Sequence, residues 1–222
     1  LVPSSSLKTE FSRIPWVRPG RIHVLHHGLD VERYRAPDIP PAAKGAIVFL
    51  GRLHFDKGID ILLDAWATVV AHFPHARLVL VGNGDQASYQ AQAERLHIAH
   101  TLTFAGYHSD VRPFLKEAQA LVLPSRREGA GYVLIEAMAA SLPVVATRLD
   151  CITEYVDEGK TGSLVPPADA PALAEALLNL IRDPETSRRM GNDGLQRVRK
   201  HFSLDATVQR LAGRAIQGVE AA

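Results

Sequence analysis

The chain has 222 residues, enough for one well-cored domain with an appendage and short of two full domains. Hydrophobic residues make up 46%, and 25 Lys and Arg balance 24 Asp and Glu, so a globular protein is expected with no electrostatic footprint for nucleic acid. The single cysteine, Cys151, excludes an internal disulfide framework and suits a reducing compartment. The opening LVPSSSLKTEF lacks the charged leader and apolar core of a signal peptide, and no apolar run is long enough to span a bilayer. A cytoplasmic protein is the expectation.

In chain order, residues 1–45 hold a weak helical stretch, a short strand candidate (RIHVLHHG, 21–28) and the Pro-rich APDIPPAAKG, which has linker composition. Strand candidates then follow at 46–51 (AIVFLG), 77–82 (RLVLVG), 101–106 (TLTFAG), 120–124 (ALVLP), 143–147 (PVVAT) and 162–166 (GSLVP). Their consecutive apolar residues predict strands covered on both faces. Between them lie the helical patterns IDILLDAWATVVAHF, DQASYQAQAERLHIA, DVRPFLKEA and GYVLIEAMAAS. In the first, Ile59, Leu62, Leu63, Trp66, Val69 and Val70 recur at helical spacing and mark a buried stripe. After Pro167 three further helices are expected, with Asp169 and Ser203 as N-caps and Pro184 in a first helical position. Strand and helix alternating in this way predict an α/β, doubly wound, Rossmann-like parallel sheet flanked by helices. Ligands of such sheets bind beyond the carboxyl ends of the strands, which places Gly51, Gly82, Gly106 and Pro124 on the functional rim.

Two rim segments carry polar chemistry. In GRLHFDKG (51–58), Arg52 offers a planar fork of donors and Lys57 a compact charge, with Gly51 and Gly58 turning the backbone beside them. Alone, these would read as two surface cations. In PSRREGAGYVLIEAMAASLPVVAT (124–147), Glu128 lies in a Gly-rich loop and a helix begins near Gly131 or Tyr132. The amides of Gly129, Ala130 and Gly131 together with the positive helix end form an anion and hydroxyl cradle. Glu136 follows about a turn into that helix, whose stripe Val133, Leu134, Ala137 and Met138 is apolar. A carboxylate so placed accepts hydrogen bonds, and vicinal sugar hydroxyls would suit it; an isolated Glu would instead read as a solvated helix residue.

The segment Glu128–Glu136 resembles the E-x7-E signature of retaining GT4-family glycosyltransferases of the GT-B fold. FLGRLHFDKGIDILLDAW, RLVLVGNGD, LTFAGYHSDV and GKTGSLVPPAD fall in the family's order around it, over about residues 21–201. The resemblance implies that Arg52 and Lys57 neutralise the donor diphosphate, that Glu128 contacts the donor sugar and that Glu136 holds the ribose hydroxyls. It implies further donor contacts from Gly51, from Gly129, Ala130, Gly131, Tyr132 and Val133, and from Tyr107 and His108 near the nucleobase. No metal and no cofactor beyond the nucleotide-diphosphate sugar is implied. The implied organisation is a remnant of an N-terminal acceptor domain and the interdomain connection (1–45), a donor-binding domain (46–200) and a C-terminal helix (201–222). The implied reaction is retaining transfer of a hexosyl group to a hydroxyl acceptor, of the kind found in cell-envelope polysaccharide or glycolipid synthesis. Most acceptor contacts of the family lie in the N-terminal domain, so this chain alone is expected to turn over poorly. Four positions depart from the family's pattern: Ala130 stands in place of a common aromatic, Ser141 in place of Gly, and Leu149-Asp150 in place of Gly-Gly. The first bears on the sugar pocket and the second on a helix end, and the last pair leaves Glu154 as the following acidic residue.

Other clusters read more plainly. His23, His26 and His27, and the pairs His72/His75 and His97/His100, lie on separate elements and make no metal constellation. Asp30-Val31-Glu32 reads as a solvated turn, and Cys151 as a small residue with nothing to favour its thiolate. Arg188, Arg189, Arg197, Arg199 and Lys200 form either a solvated basic face or a patch for peripheral contact with a membrane surface. Two alternatives to transfer are nucleotide-sugar epimerisation on the same fold and a non-catalytic nucleotide-sugar binding module.

Overall fold

Runs of Val, Leu, Ile and Ala build the central strands, which are buried on both faces; the edge strand Leu102–Gly106, expected to be covered likewise, has no buried residue and exposes Thr103, because it has a neighbour on one side alone. In the computed structural model, which describes residues 1–34 and 45–220 (side chains to 213), the six strands are β1 (Ala46–Leu50), β2 (Leu78–Val81), β3 (Leu102–Gly106), β4 (Ala118–Leu123), β5 (Val144–Thr147) and β6 (Gly162–Val165). They form one six-stranded sheet in the order β3-β2-β1-β4-β5-β6, with every pairing parallel. The order reverses between β1 and β4, which opens a crevice at their carboxyl ends. Strand β4 begins two residues before the expected boundary. Helix α4 (Arg112–Glu117) stops where Ala118 turns extended to pair with Ala46, at the cost of a register shift in β1.

Helices cover both faces of the sheet. Helix α2 (Ile59–His72) buries Ile59, Leu62, Leu63, Trp66 and Val69, each worth about 1.5–3 kcal/mol against exposure. It packs against α3 (Gln86–Arg95) and α7 (Ala170–Arg182). The Trp66 indole N–H is satisfied by the Thr101 hydroxyl at 3.0 Å, which itself donates to the Ile98 carbonyl at 2.7 Å. Helix α5 (Tyr132–Ala139) packs against α8 (Pro184–His201). The expected caps form: Asp169 accepts from Ala172 N–H, Ser203 from Ala206 N–H, and Pro184 opens α8 behind the cap Asp183. The four-residue helix α6 (Asp150–Thr153) is too short to leave a periodic signal in sequence.

The amino-terminal residues differ from expectation. RIHVLHHG is no strand; Val24 makes a single parallel bridge to Val2, held by two backbone hydrogen bonds of 2.9 and 2.8 Å. Helix α1 (Ser5–Ser12), capped by Ser4, follows that bridge. The linker APDIPPAAKG lies outside the described residues except for Gly45. The last helix, α9, runs from Leu204 to Glu220.

One of the late basic residues leaves the solvated surface. The Arg197 guanidinium turns inward and donates to the carbonyls of Tyr155 and Glu154 and to the Asp157 carboxylate. Arg199 pairs with Glu32, whereas Arg188, Arg189 and Lys200 are exposed. No helix among the described residues is long and apolar enough to cross a membrane.

The junction of α5 with α8 is tightly constrained. Ser141, just past α5, has φ 61°, a left-handed conformation that costs a residue with a Cβ about 1–3 kcal/mol. A Cβ on Gly191 of α8 would lie 1.9 Å from the Ser141 carbonyl oxygen. Ser141→Gly should therefore raise the melting temperature by about 2–4 °C, the strain relief exceeding the added unfolded-state entropy. Gly191→Ala should lower stability by about 1–3 kcal/mol. Calorimetric melting of the two variants checks both signs.

Candidate functional site

The loops after β1 and β4 leave adjacent strands at the reversal point, so their side chains converge. Gly58 begins α2 at φ 66°, and a Cβ there would lie 2.1 Å from the Pro124 carbonyl oxygen. Glycine thus allows one loop to lie directly against the other. The amides of Arg126 and Arg127 donate to the Asp56 carbonyl at 2.8 and 3.2 Å. The Arg126 guanidinium grips both Asp60 oxygens at 2.6 and 2.7 Å, bonds the Phe55 carbonyl and stacks 3.9 Å from the Phe55 ring centroid. Burial alone would raise the Asp60 carboxyl, but the hydrogen bond and charge of Arg126 hold it below its ordinary range.

On this platform the Lys57 ammonium pairs with Oε1 of Glu128, and the same oxygen accepts from the Ser125 hydroxyl at 2.8 Å. The Glu128 side chain is only 9% exposed, so an unpaired charge there would be costly. Two contacts hold the following backbone: the Cys151 thiol lies 3.3 Å from the Glu128 carbonyl, and the Ser4 hydroxyl donates to the Gly129 carbonyl at 2.7 Å. Burial and the nearby Glu128 charge push the Cys151 thiol up to about 11, so it stays protonated at neutral pH. Residue 4 thereby braces a loop 125 positions away.

Gly131 caps α5 from the left-handed region, at φ 61°, with no side-chain cap and no acidic residue in the first turn. Among the described residues, no acceptor meets the N–H groups of Gly129, Ala130, Gly131, Tyr132 or Val133. Consecutive donors without acceptors at the positive end of a helix are groups of the kind that can take an anion, and they follow Glu128 directly in the chain. One turn into α5, Glu136 accepts a 2.7 Å hydrogen bond from the Tyr34 hydroxyl. Burial raises the Glu136 carboxyl above its ordinary range, and the Tyr34 bond opposes that rise.

The remaining expected residues lie farther out. Arg52 is exposed; its carbonyl accepts from the His54 N–H at 2.9 Å, and its guanidinium has no hydrogen-bond or ion-pair partner among the described residues. Gly51 lines up with the ends of β2 and β3: its N–H bonds Val81, and the Gly82 N–H bonds Gly106. Tyr107 is 71% exposed, and the His108 ring packs edge-on against Phe114 with centroids 4.7 Å apart. Asp30-Val31-Glu32 opens a 3-10 turn with Val31 buried, so that segment is part-anchored rather than wholly solvated. The histidines disperse: His26 bonds Glu154 at 2.7 Å and His27 packs on Tyr132. Among the described residues, no group of three His, Cys, Asp or Glu side chains could hold a metal ion. Sequence reasoning missed Tyr34, Ser125, Arg126, Asp60 and Ser4; each acts through a partner elsewhere in the chain, and only Ser125, three residues before Glu128, was within reach of local inspection.

Residues 44–183, well over half of the chain, match the family model described as glycosyl transferases group 1. Phosphatidyl-myo-inositol mannosyltransferase from Mycobacterium leprae is 36% identical over 165 residues, covering 72% of this chain and 44% of that protein. Glycogen synthase from Mycobacterium tuberculosis is 29% identical over 206 residues, covering 90% of this chain and 49% of the relative. The chain thus spans about half the length of these relatives. The Anabaena protein HepE, solved in complex with UDP and glucose, superposes with a TM-score of 0.87 at 22% identity, over 96% of this chain and 61% of that one, a likeness of fold. A six-stranded parallel sheet with the site at its reversal point, and a family match across it, place this chain among the group 1 glycosyl transferases, as the C-terminal half of a GT-B fold.

Proposed function

We propose that this chain binds the nucleotide-diphosphate sugar of a retaining hexosyltransferase, and that residues 1–34 belong to the connection with an acceptor-binding domain. The observation that carries this reading is the row of five unengaged amides, Gly129 to Val133, set between the Lys57–Glu128 pair and Glu136. In this reading the amides, with Lys57 and Arg52, take the diphosphate. Lys57 is partly neutralised by Glu128 yet keeps N–H donors for phosphate oxygens. As the bond from sugar to diphosphate breaks, negative charge grows on the leaving phosphate, and preformed donors stabilise it without reorganising. Glu128, held by Lys57 and Ser125, faces the sugar hydroxyls, while Glu136 accepts from the ribose. Gly51, Tyr107 and His108 line the same rim on the side assigned to the nucleobase. Names among the relatives support the substrate class: one is a mannosyltransferase, and HepE was solved with UDP and glucose. Transfer to a hydroxyl acceptor, as in glycan or glycolipid synthesis, is favoured over epimerisation or passive binding by membership of a transferase family.

Titration calorimetry with UDP-, GDP- and ADP-linked hexoses should find at least one ligand. Lys57→Ala and Arg52→Ala should each weaken it about 10- to 100-fold, the worth of a charge-assisted phosphate contact. Glu136→Ala should weaken it comparably. Binding that is indifferent to all three substitutions would remove the assignment.

The raised Glu136 carboxyl adds a pH signature. Tyr34 and Tyr132 are the titratable groups nearest to it, with Arg112 beyond Tyr34, and burial keeps both phenols protonated at neutral pH. Ribose hydroxyls bond best to the ionised carboxylate, so affinity should strengthen as pH rises through the elevated Glu136 value and fall below it. Calorimetry between about pH 4 and about pH 8 should show this dependence in the native chain and its loss in Glu136→Gln. A flat native profile would contradict the role given to Glu136.

A further inference from the structure

Glu136 presents an asymmetric carboxylate. Oε1 accepts from the Tyr34 hydroxyl at 2.7 Å, and no other described side chain or amide bonds the group. No buried side-chain oxygen or nitrogen among the described residues lacks a partner. Oε2, having none, is therefore open to solvent. No Lys, Arg or His forms an ion pair with Glu136 among the described residues, although the group is substantially desolvated. Among the described residues, its only fixed donor comes from outside the helix and outside the sheet.

That donor is itself firmly seated. Tyr34 ends the 3-10 turn Val31–Arg33, its N–H bonded to the Val31 carbonyl at 3.0 Å, with Val31 buried 6% exposed against the core. The turn packs on α5, and the Tyr34 ring packs on the core. A phenol at this place has few rotatable bonds and stays protonated at neutral pH, so it donates to the ionised carboxylate. A freely rotating carboxylate would present either oxygen, or both, at varying angles. A carboxylate with one oxygen held by a rigid donor presents the other in a fixed direction, and the ordering cost is met before the ligand arrives.

We propose that Tyr34 is a positioning residue: its hydroxyl pins Oε1 of Glu136 so that Oε2 is preset to accept from the ribose hydroxyls of the bound nucleotide. This rests on the reading of Glu136 as the ribose-binding carboxylate. It places a determinant of donor affinity in the segment just ahead of the donor-binding domain, 102 positions before the residue it orients. Tyr34 does not touch the reacting atoms; it acts through Glu136.

The test is a cycle over protein and ligand. Calorimetry would measure UDP, GDP and ADP, and the 2′,3′-dideoxy form of whichever binds most tightly, against the native chain, Tyr34→Phe and Glu136→Ala. Phe keeps the ring and removes only the hydroxyl, and the unliganded melting temperature verifies that packing is retained. The native chain should prefer the ribonucleotide over its dideoxy form. Tyr34→Phe should weaken the ribonucleotide about five- to tenfold, the worth of one hydrogen bond to a charged group, while leaving the dideoxy nucleotide within about twofold. Glu136→Ala should abolish the preference. Equal losses for both ligands, no loss, or tighter binding by Tyr34→Phe would each overturn the positioning role while leaving the donor-site reading intact. A native chain that does not distinguish ribose from dideoxyribose would sink the ribose role of Glu136 itself.

Discussion

The ion pair between Lys57 and Glu128 joins two loops that leave neighbouring strands on either side of the sheet's reversal point. Most of what surrounds the site exists to bring those loops within reach of each other. A Cβ on Gly58 would collide with Pro124, Arg126 grips Asp60 and Phe55, and the Asp56 carbonyl accepts two amides from the opposite loop. The pair stands on a platform with little freedom, so opposite charges can lie side by side without the entropy that weakens most surface ion pairs. A desolvated carboxylate is tolerable there because Lys57 and Ser125 both meet it.

Strands β1, β4 and β5 are readable because parallel strands buried on both faces leave apolar runs, and the long helices leave stripes at helical spacing; the edge strand β3 is legible by its Leu, Phe and Thr between turn signals although none of its residues is buried. Boundaries were less so. Ala118 could continue a helix or open a strand by composition, and its pairing with Ala46 decides the matter through a partner 72 positions away. RIHVLHHG looks like a strand locally, yet the fold supplies it with a single bridge to Val2. The strand between turns was a local inference; the neighbour that would have completed it was not.

The same distinction runs through the site. The spacing of Glu128 and Glu136 across a Gly-rich loop and a helix start is written in one segment, and the structure places them on that loop and helix. Lys57 is legible as a cation on the rim, but its pairing with Glu128 depends on strand order. Tyr34, Ser4 and Cys151 carry no local signal. A tyrosine after a turn, a serine before a helix and a lone cysteine each have ordinary uses, and their present ones follow only from which residues the fold brings opposite them. On α8 the converse holds for Arg197, which reads in sequence as part of a basic run but turns inward to the Tyr155 and Glu154 carbonyls and the Asp157 carboxylate.

The central claim is that the amides between Gly129 and Val133 receive the diphosphate. Amide resonances of the isotopically labelled chain, followed during titration with a nucleoside diphosphate and its hexose conjugate, address this directly. The largest shifts should fall on Gly129 to Val133 and on the loop around Lys57, with Arg77 and Gln119 at the opposite end of the sheet unmoved. Shifts centred on that opposite end, or none at the start of α5, would contradict it.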